Sequence, residues 1–146
     1  MKYTCEIDVD LPRDRVIGLF DEQENLKHWL IGLESFTHKS GTPGHPGAQS
    51  DIVVTSGNRR VQMVETIETR NLPNEFTAHY TTDGMWNRTE NFFHVNADGS
   101  TRWEQVNEFR ADGLFMKFMM GLMPGMFRKE TMKQMVSFKS FAESHT

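Results

Sequence analysis

Two glutamates inside predicted β-strands, Glu65 and Glu90, are the residues best placed for proton-transfer chemistry. If such a side chain faces the interior of a sheet, the loss of water raises the pKa of its carboxyl group, as a general base requires. Strand carboxylates are more often solvated or ion-paired on the outer face of a sheet. The sequence therefore offers both glutamates as candidates, and we assign no catalytic residue from it.

The metal-binding and nucleophilic side chains show no catalytic spacing. Cys5 is the only cysteine, so an internal disulfide is excluded, and a buried, unreactive thiol in a strand is expected. No nucleophile elbow, Cys-x-x-Cys, Gly-x-Gly-x-x-Gly or His-Glu-x-x-His pattern occurs. The six histidines lack the close spacing of metal ligands: His28, His38, His45, His79, His94 and His145. We predict no metal ion and no cofactor.

Composition and charge argue against several classes of protein. With 146 residues, 37% of them hydrophobic, the chain can build a core, and we predict a single domain over residues 1–146. A net charge of −4, with no basic stripe among aromatics, argues against nucleic-acid binding. Neither a signal region nor a run of membrane-spanning length occurs. We expect a cytoplasmic protein without integral membrane association, as a monomer or homodimer.

The predicted elements are one strand, two short helices, about six further strands and a helical C-terminus. Alternating strand formers predict the strands, and turns rich in glycine, proline or asparagine separate them. The predicted strands cover residues 3–9, 33–39, 49–55, 60–69, 76–82, 86–95 and 101–110. Pro124 divides the helical C-terminus into residues 114–122 and a longer helix. Strands that are separate in sequence from helices indicate an α+β domain.

The long C-terminal helix, rich in methionine and phenylalanine, is the element expected to cover the sheet. Its apolar positions recur every three to five residues and form one face: Phe127, Met132, Met135, Phe138 and Ala142. An antiparallel sheet needs a cover over its apolar face. A curved sheet of about six to seven strands around this helix would leave a concave space. Methionine adapts to partners of varied shape, although a methionine stripe is more often plain core.

This arrangement resembles the START-like SRPBCC superfamily, whose helix-grip fold is shared with the major birch-pollen allergen. The resemblance lies in residues 7–20, in Asn25-Leu26-Lys27-His28-Trp29, in Gly99-Ser100-Thr101-Arg102-Trp103 and in the final helix. The polyketide cyclase/dehydrase-like branch is the most similar. The resemblance implies an internal cavity for apolar molecules such as lipids, sterols, polyketides or hormones. The loop over residues 41–47 lacks a phosphate-loop pattern, so phosphate binding is not implied.

The register of the last hairpin decides which polar side chains face the concave space. A three-residue loop, Ala97-Asp98-Gly99, places Phe93 opposite Trp103, Asn91 opposite Gln105 and Thr89 opposite Asn107, with Arg88 facing Glu108 outside. A two-residue turn would send Arg88 and Glu90 inward, because a slip of one residue exchanges the two faces. We favour the first register, since it leaves an aromatic interior with neutral amides. The amides could equally satisfy one another or bound water.

The favoured function is binding of an apolar small molecule between the sheet and the C-terminal helix. The predicted ligand contacts are Tyr80, Thr89, Asn91, Phe93, Trp103, Gln105, Asn107, Phe109, Met119, Met123, Phe127 and Met135. A polyketide cyclase or dehydratase using the same cavity is one alternative, which an inward carboxylate would favour. A chaperone-activator-like interaction module is another, which a filled core with an exposed apolar patch would favour.

A cavity closed by a sheet and a helix also needs an entrance. The segment Gly121-Leu122-Met123-Pro124-Gly125 combines two glycines with a proline, so it is the predicted moving part. The loop over residues 41–47 is the predicted opposite side of the entrance.

Overall fold

The computed structural model describes residues 1–145, apart from the side chains at positions 115, 116, 119 and 124. The strands are β1 Lys2–Val9, β2 Leu33–Ser40, β3 Gln49–Ser56, β4 Arg59–Asn71, β5 Glu75–Thr82, β6 Met85–Val95 and β7 Thr101–Ala111. The helices are α1 Arg13–Asp21, α2 Leu26–Trp29, α3 Leu114–Leu122 and α4 Pro124–Glu143, with a 3₁₀ turn at Gln23–Asn25. The predicted ligand contact Met119 lies outside the described side chains.

The strands form one antiparallel sheet in the order β1-β7-β6-β5-β4-β3-β2. Each strand from β3 to β7 pairs with its sequence neighbour, since short turns join them, while β1 pairs with β7 at the other edge. Irregular pairings interrupt β2 twice and β4 once, between Ile67 and Thr69. Such bulges bend a strand and increase its twist. The predicted α+β arrangement, with a curved sheet and a long C-terminal helix, is confirmed.

Helix α4 lies in the curve of the sheet and is held there by its apolar face. Met135 and Phe138 are fully buried, and Met132 packs against the same core, as predicted from their spacing. Polar contacts also hold the middle of the helix. The Tyr3 hydroxyl of β1 lies 2.7 Å from Thr131 Oγ1, and Ser137 Oγ donates to the Trp29 carbonyl at 2.6 Å. α4 is therefore fixed mainly against β1 and α2.

Aromatic rings fill one end of the space between α4 and the sheet. Trp103 of β7 packs edge-on against Phe138 of α4, with ring centroids 5.2 Å apart, and stacks on Phe93 of β6 at 6.2 Å. Phe20 of α1 and Trp29 of α2 complete the group, at 5.1 Å from Phe93 and 5.0 Å from Phe138 respectively. We call these five rings the aromatic cluster. Their packing closes this end of the concave face.

The last hairpin has the favoured register. Phe93 pairs with Trp103, Asn91 with Gln105, Thr89 with Asn107 and Arg88 with Glu108. The Asn96 amide donates to the Ser100 carbonyl at 2.8 Å, so the loop between them has three residues. Gly99 closes that loop with φ +88°, a left-handed conformation that glycine adopts without strain. The two-residue turn that would have sent Arg88 and Glu90 inward is excluded.

The predicted break between the last two helices is present, but one side of the predicted entrance is wrong. α3 ends at Leu122, and α4 begins at Pro124. The Gly47 amide binds the Ile67 carbonyl at 2.7 Å, towards the β4–β5 turn, whereas Asp112 before α3 binds Gly84 of the β5–β6 turn at 2.9 Å. These turns lie at opposite ends of β5. The loop over residues 41–47 therefore does not face α3.

Candidate functional site

The concave face of the sheet divides into a closed half and an accessible half. In the closed half, Phe93 and Trp103 are at most 2% exposed, and Phe138 covers them. Towards α3, side chains between the sheet and α4 are only half-buried: Tyr80, Asn87, Gln105 and Phe109 of the sheet, and Phe127 of α4. We call the surface made by these residues and Glu65 the open half. Solvent reaches the half-buried side chains of this surface.

A chain of neutral side chains joins the two halves. Asn91 Oδ1 accepts from Trp103 Nε1 and from Gln105 Nε2, both at 2.9 Å. Asn107 Nδ2 donates to Gln105 Oε1 at 2.8 Å, and Thr89 Oγ1 donates to Asn107 Oδ1 at 2.9 Å. The amides thus satisfy one another, which fixes their rotamers and lowers the cost of burying them. They form a preorganised polar strip.

One row of the open half crosses four strands and contains a carboxyl group. Glu65 of β4 pairs with Tyr80 of β5, Tyr80 with Asn87 of β6, and Asn87 with Phe109 of β7. Glu65 is 9% exposed, and the Tyr80 hydroxyl donates to its Oε2 at 2.8 Å. Burial raises the pKa of Glu65, and the hydrogen bond from Tyr80 opposes this only in part. Burial also raises the pKa of Tyr80, as does the neighbouring glutamate.

Glu90, the other candidate carboxylate, lies on the convex face. It pairs with Val106 in the favoured hairpin register, and its Oε1 lies 3.0 Å from Arg88 Nη1. The same arginine binds Glu68 at 3.0 Å. The suggestion that Glu90 faces inward is therefore wrong, because its strand position places it beside outward-facing Arg88. Glu65 is the inward carboxylate of the pair.

We expect Glu65→Gln to raise the stability of the protein at about pH 8 and to change it little near pH 4. The raised pKa means that folding favours the protonated carboxyl, so Glu65 costs nothing below its unfolded pKa and destabilises the fold as pH rises through its folded pKa. Glutamine avoids this cost and can still accept from Tyr80. A gain of about 1 kcal/mol in the free energy of unfolding is expected at the higher pH. Urea denaturation at both pH values measures it.

The matched control is Glu68→Gln, three positions along the same strand. Burial raises the pKa of Glu68, but hydrogen bonds from His79 and Arg88 outweigh it, and the net pKa is lowered. Its ionised form is therefore favoured by folding, so glutamine should reduce stability at about pH 8. If both variants shifted stability in the same direction at that pH, the environment assigned to Glu65 would be wrong.

Ten of the predicted ligand contacts fall into three groups. Phe93, Trp103 and Met135 are in the packed core, and Thr89, Asn91 and Asn107 are buried in the polar strip. Tyr80, Gln105, Phe109 and Phe127 belong to the open half, where the rings of Phe109 and Phe127 lie 4.8 Å apart. Met123 is 38% exposed at the end of α3. Contact with a ligand stays a prediction for all of them.

Glu65 and Asn87 were not among the predicted contacts, although both belong to the open half. The sequence contained a signal for Glu65, because it lies on the same side of its strand as the apolar residues Val61, Met63 and Ile67. Asn87 lies on the same side of β6 as Thr89, Asn91 and Phe93. Both residues could have been found by taking every second position from the apolar residues of each strand.

Helix α3 carries an exposed apolar stripe. Leu114, Phe118 and Leu122 are 86%, 62% and 59% exposed, and their spacing of four places them on one side of the helix. A groove of about 630 Å³ runs between α3 and the end of β7, with Phe109, Lys117 and Met120 among its lining residues. The groove adjoins the open half through Phe109.

The described part of the chain offers neither a metal-binding cluster nor a membrane-spanning helix. Among residues 1–145, no group of three or more histidine, cysteine, aspartate or glutamate side chains could hold a metal ion. None of the described helices has the length and apolarity needed to cross a membrane. Cys5 is buried, as expected, and burial raises the pKa of its thiol.

Solved structures share this architecture over almost the whole chain. The Zhui aromatase/cyclase from Streptomyces sp. R1128 matches 98% of this chain and 93% of its own, with a TM-score of 0.82 and 8% identity. The protein TTHA0849 from Thermus thermophilus matches 100% and 99%, with a TM-score of 0.82 and 15% identity. A point mutant of Thalictrum flavum norcoclaurine synthase, in complex with a transition-state analogue, matches 99% and 95%, with a TM-score of 0.73 and 11% identity.

Sequence comparisons add nothing further: no family model matches the chain, and no curated protein is significantly similar to it. At identities of 8 to 15%, the structural matches establish a shared fold. The resemblance to START-like SRPBCC proteins is thus confirmed as a helix-grip fold.

Proposed function

We propose that the protein binds a largely apolar small molecule against the open half of its concave face. The observation that carries this proposal is the incomplete burial of inward-facing Tyr80, Gln105, Phe109 and Phe127. Side chains that point into a helix-covered face and still meet solvent are available to a ligand. Aromatic rings with a few fixed polar groups are the usual lining of such sites.

The chemistry of the open half favours a ligand with an apolar body and one or two polar atoms. Phe109 and Phe127 offer apolar surface, while Gln105 offers an amide that Asn91 and Asn107 hold in place. Preorganised amides lose little conformational entropy when they bind. Zhui is described as an aromatase/cyclase, and a polycyclic aromatic compound is accordingly one of the classes to test.

Binding is tested by calorimetric titration with palmitic acid, progesterone and the aromatic polyketide emodin. We expect at least one of them to bind with a Kd of about 1 to 100 μM, and Gln105→Trp to weaken that binding about tenfold or more, since an indole at this position occupies the open half. The matched control is Val106→Trp, the next residue of β7 on the convex face, which should bind like the wild type.

Two outcomes would contradict the proposal. One is saturable binding that Gln105→Trp and Val106→Trp leave equally intact, because the ligand would then lie elsewhere. The other is no binding by any compound to a folded wild-type protein. Melting temperatures of both variants show whether a loss of binding reflects a loss of folding.

A further inference from the structure

The Glu65 carboxyl uses only part of its hydrogen-bonding capacity. Its Oε2 accepts from Tyr80, while Oε1 has no hydrogen-bond partner among residues 1–145. No lysine, arginine or histidine side chain of the described chain lies within 4.0 Å of this carboxyl. Within that same part of the chain, the one fully buried polar side-chain atom without a partner is Trp29 Nε1, so Glu65 Oε1 is not fully buried.

A largely buried carboxylate without a cation is costly, and Glu68, the other glutamate of β4, avoids that cost. Glu68 lies 2.9 Å from His79 Nδ1 and 3.0 Å from Arg88 Nε, whereas the polar neighbours of Glu65 on its own face are the hydroxyls of Tyr80 and, on β3, Ser50. Desolvation makes a bare carboxylate unfavourable, and a close positive charge reverses the effect. The open half thus lacks the positively charged group that would stabilise the ionised carboxylate of Glu65.

We propose that Glu65 is the binding site for a protonated amine on the ligand, so that the ligand class is apolar amines. The inference rests on the proposed function. An ammonium group would bind Oε1 while Tyr80 continues to donate to Oε2, which needs no rearrangement of the side chains. The apolar body of the amine then packs towards Phe109 and Phe127. A ligand oxygen that accepts from neutral Glu65 is the competing arrangement.

A pair of compounds that differ only in the polar atom separates these arrangements. The probes are 2-(2-naphthyl)ethylamine and 2-(2-naphthyl)ethanol, titrated calorimetrically at about pH 7.5. We expect the wild type to bind the amine about tenfold more tightly than the alcohol, as a charge-assisted hydrogen bond in a partly dry site allows. In Glu65→Gln the preference for the amine over the alcohol should vanish, through a loss of affinity for the amine. Glu68→Gln should keep the preference.

The pH dependence gives a second readout. Ammonium binding favours ionised Glu65, whose pKa burial raises in the free protein, so affinity for the amine should increase as pH rises through that pKa and then level off. Affinity for the alcohol should not show this increase.

The outcomes separate the inference from the proposed function. Equal affinity for the two compounds in the wild type, or an amine preference that survives in Glu65→Gln, overturns the inference and leaves concave-face binding intact. A preference for the alcohol also overturns the inference, in favour of the competing arrangement. If neither compound binds to the folded protein while palmitic acid, progesterone or emodin does, the inference is overturned and the proposed function stands. If none of the five compounds binds, both are contradicted.

Discussion

Met135→Asp is expected to lower the free energy of unfolding by about 4 kcal/mol, because it buries a charge without a partner. Met135 is fully buried and belongs to the core formed by α4, the sheet and the aromatic cluster. An aspartate there either pays for desolvation or binds a proton, and both reduce stability. The loss also includes the apolar contacts of the methionine. Urea denaturation followed by circular dichroism measures the change.

Val136→Asp is the matched control on the same helix. Val136 is 49% exposed, so an aspartate at this position stays hydrated and should change stability by about 0.5 kcal/mol or less. Equal losses in the two variants would mean that the face of α4 packed against the sheet has been wrongly assigned.

Gly32→Ala should cost about 3 kcal/mol, the combined effect of a strained backbone and a steric clash. Gly32 has φ +80°, and an added Cβ would lie 2.2 Å from the carbonyl oxygen of Thr55. That oxygen belongs to the backbone of β3, and the Thr55 amide donates to the Gly32 carbonyl at 2.8 Å. Neither partner can move without breaking the contact between β3 and the turn before β2.

The control for this substitution is Gly18→Ala in α1. An added Cβ at Gly18 would meet nothing within 4 Å, and the residue has no positive φ. Alanine should therefore stabilise the helix by about 0.5 to 1 kcal/mol. Thermal or urea unfolding compares the two variants, and a loss of less than about 1 kcal/mol in Gly32→Ala would contradict the close approach to Thr55.

The register of the β6–β7 hairpin could be predicted because two independent signals agreed. Charged residues of β7 alternate with aromatic and amide residues, and Gly99 sits where a three-residue loop needs a left-handed conformation. Only one register satisfied both. The same reasoning placed Arg88 beside Glu108 on the convex face, which also excludes Glu90 from the interior.

The division of the concave face could not be predicted from the sequence. Trp103 and Phe93 were predicted as ligand contacts because they alternate with polar residues. The space left beside them, however, depends on contacts with Phe20 of α1 and Trp29 of α2. Those contacts join residues about 70 or more positions apart. No local sequence pattern predicts such long-range contacts.

The packed side of helix α3 also could not be predicted from the sequence. Its sequence is apolar on several sides, so periodicity predicts a helix but does not say which side packs. The exposure of Leu114, Phe118 and Leu122 depends on how the chain turns after β7. This stripe is the feature that an interaction module would use, which makes it the natural rival to the open half as the binding surface.

The most direct test of the central claim is to locate a bound apolar molecule by nuclear magnetic resonance. Spectra of the ¹⁵N-labelled protein are recorded with and without saturating amounts of the tightest-binding compound among palmitic acid, progesterone and emodin. If the ligand binds to the open half, the largest shift changes fall on the side-chain amides of Asn87, Gln105 and Asn107 and on the backbone of Tyr80. Changes confined to residues 114–122, with those amides unmoved, would contradict it and assign binding to the exposed stripe of α3.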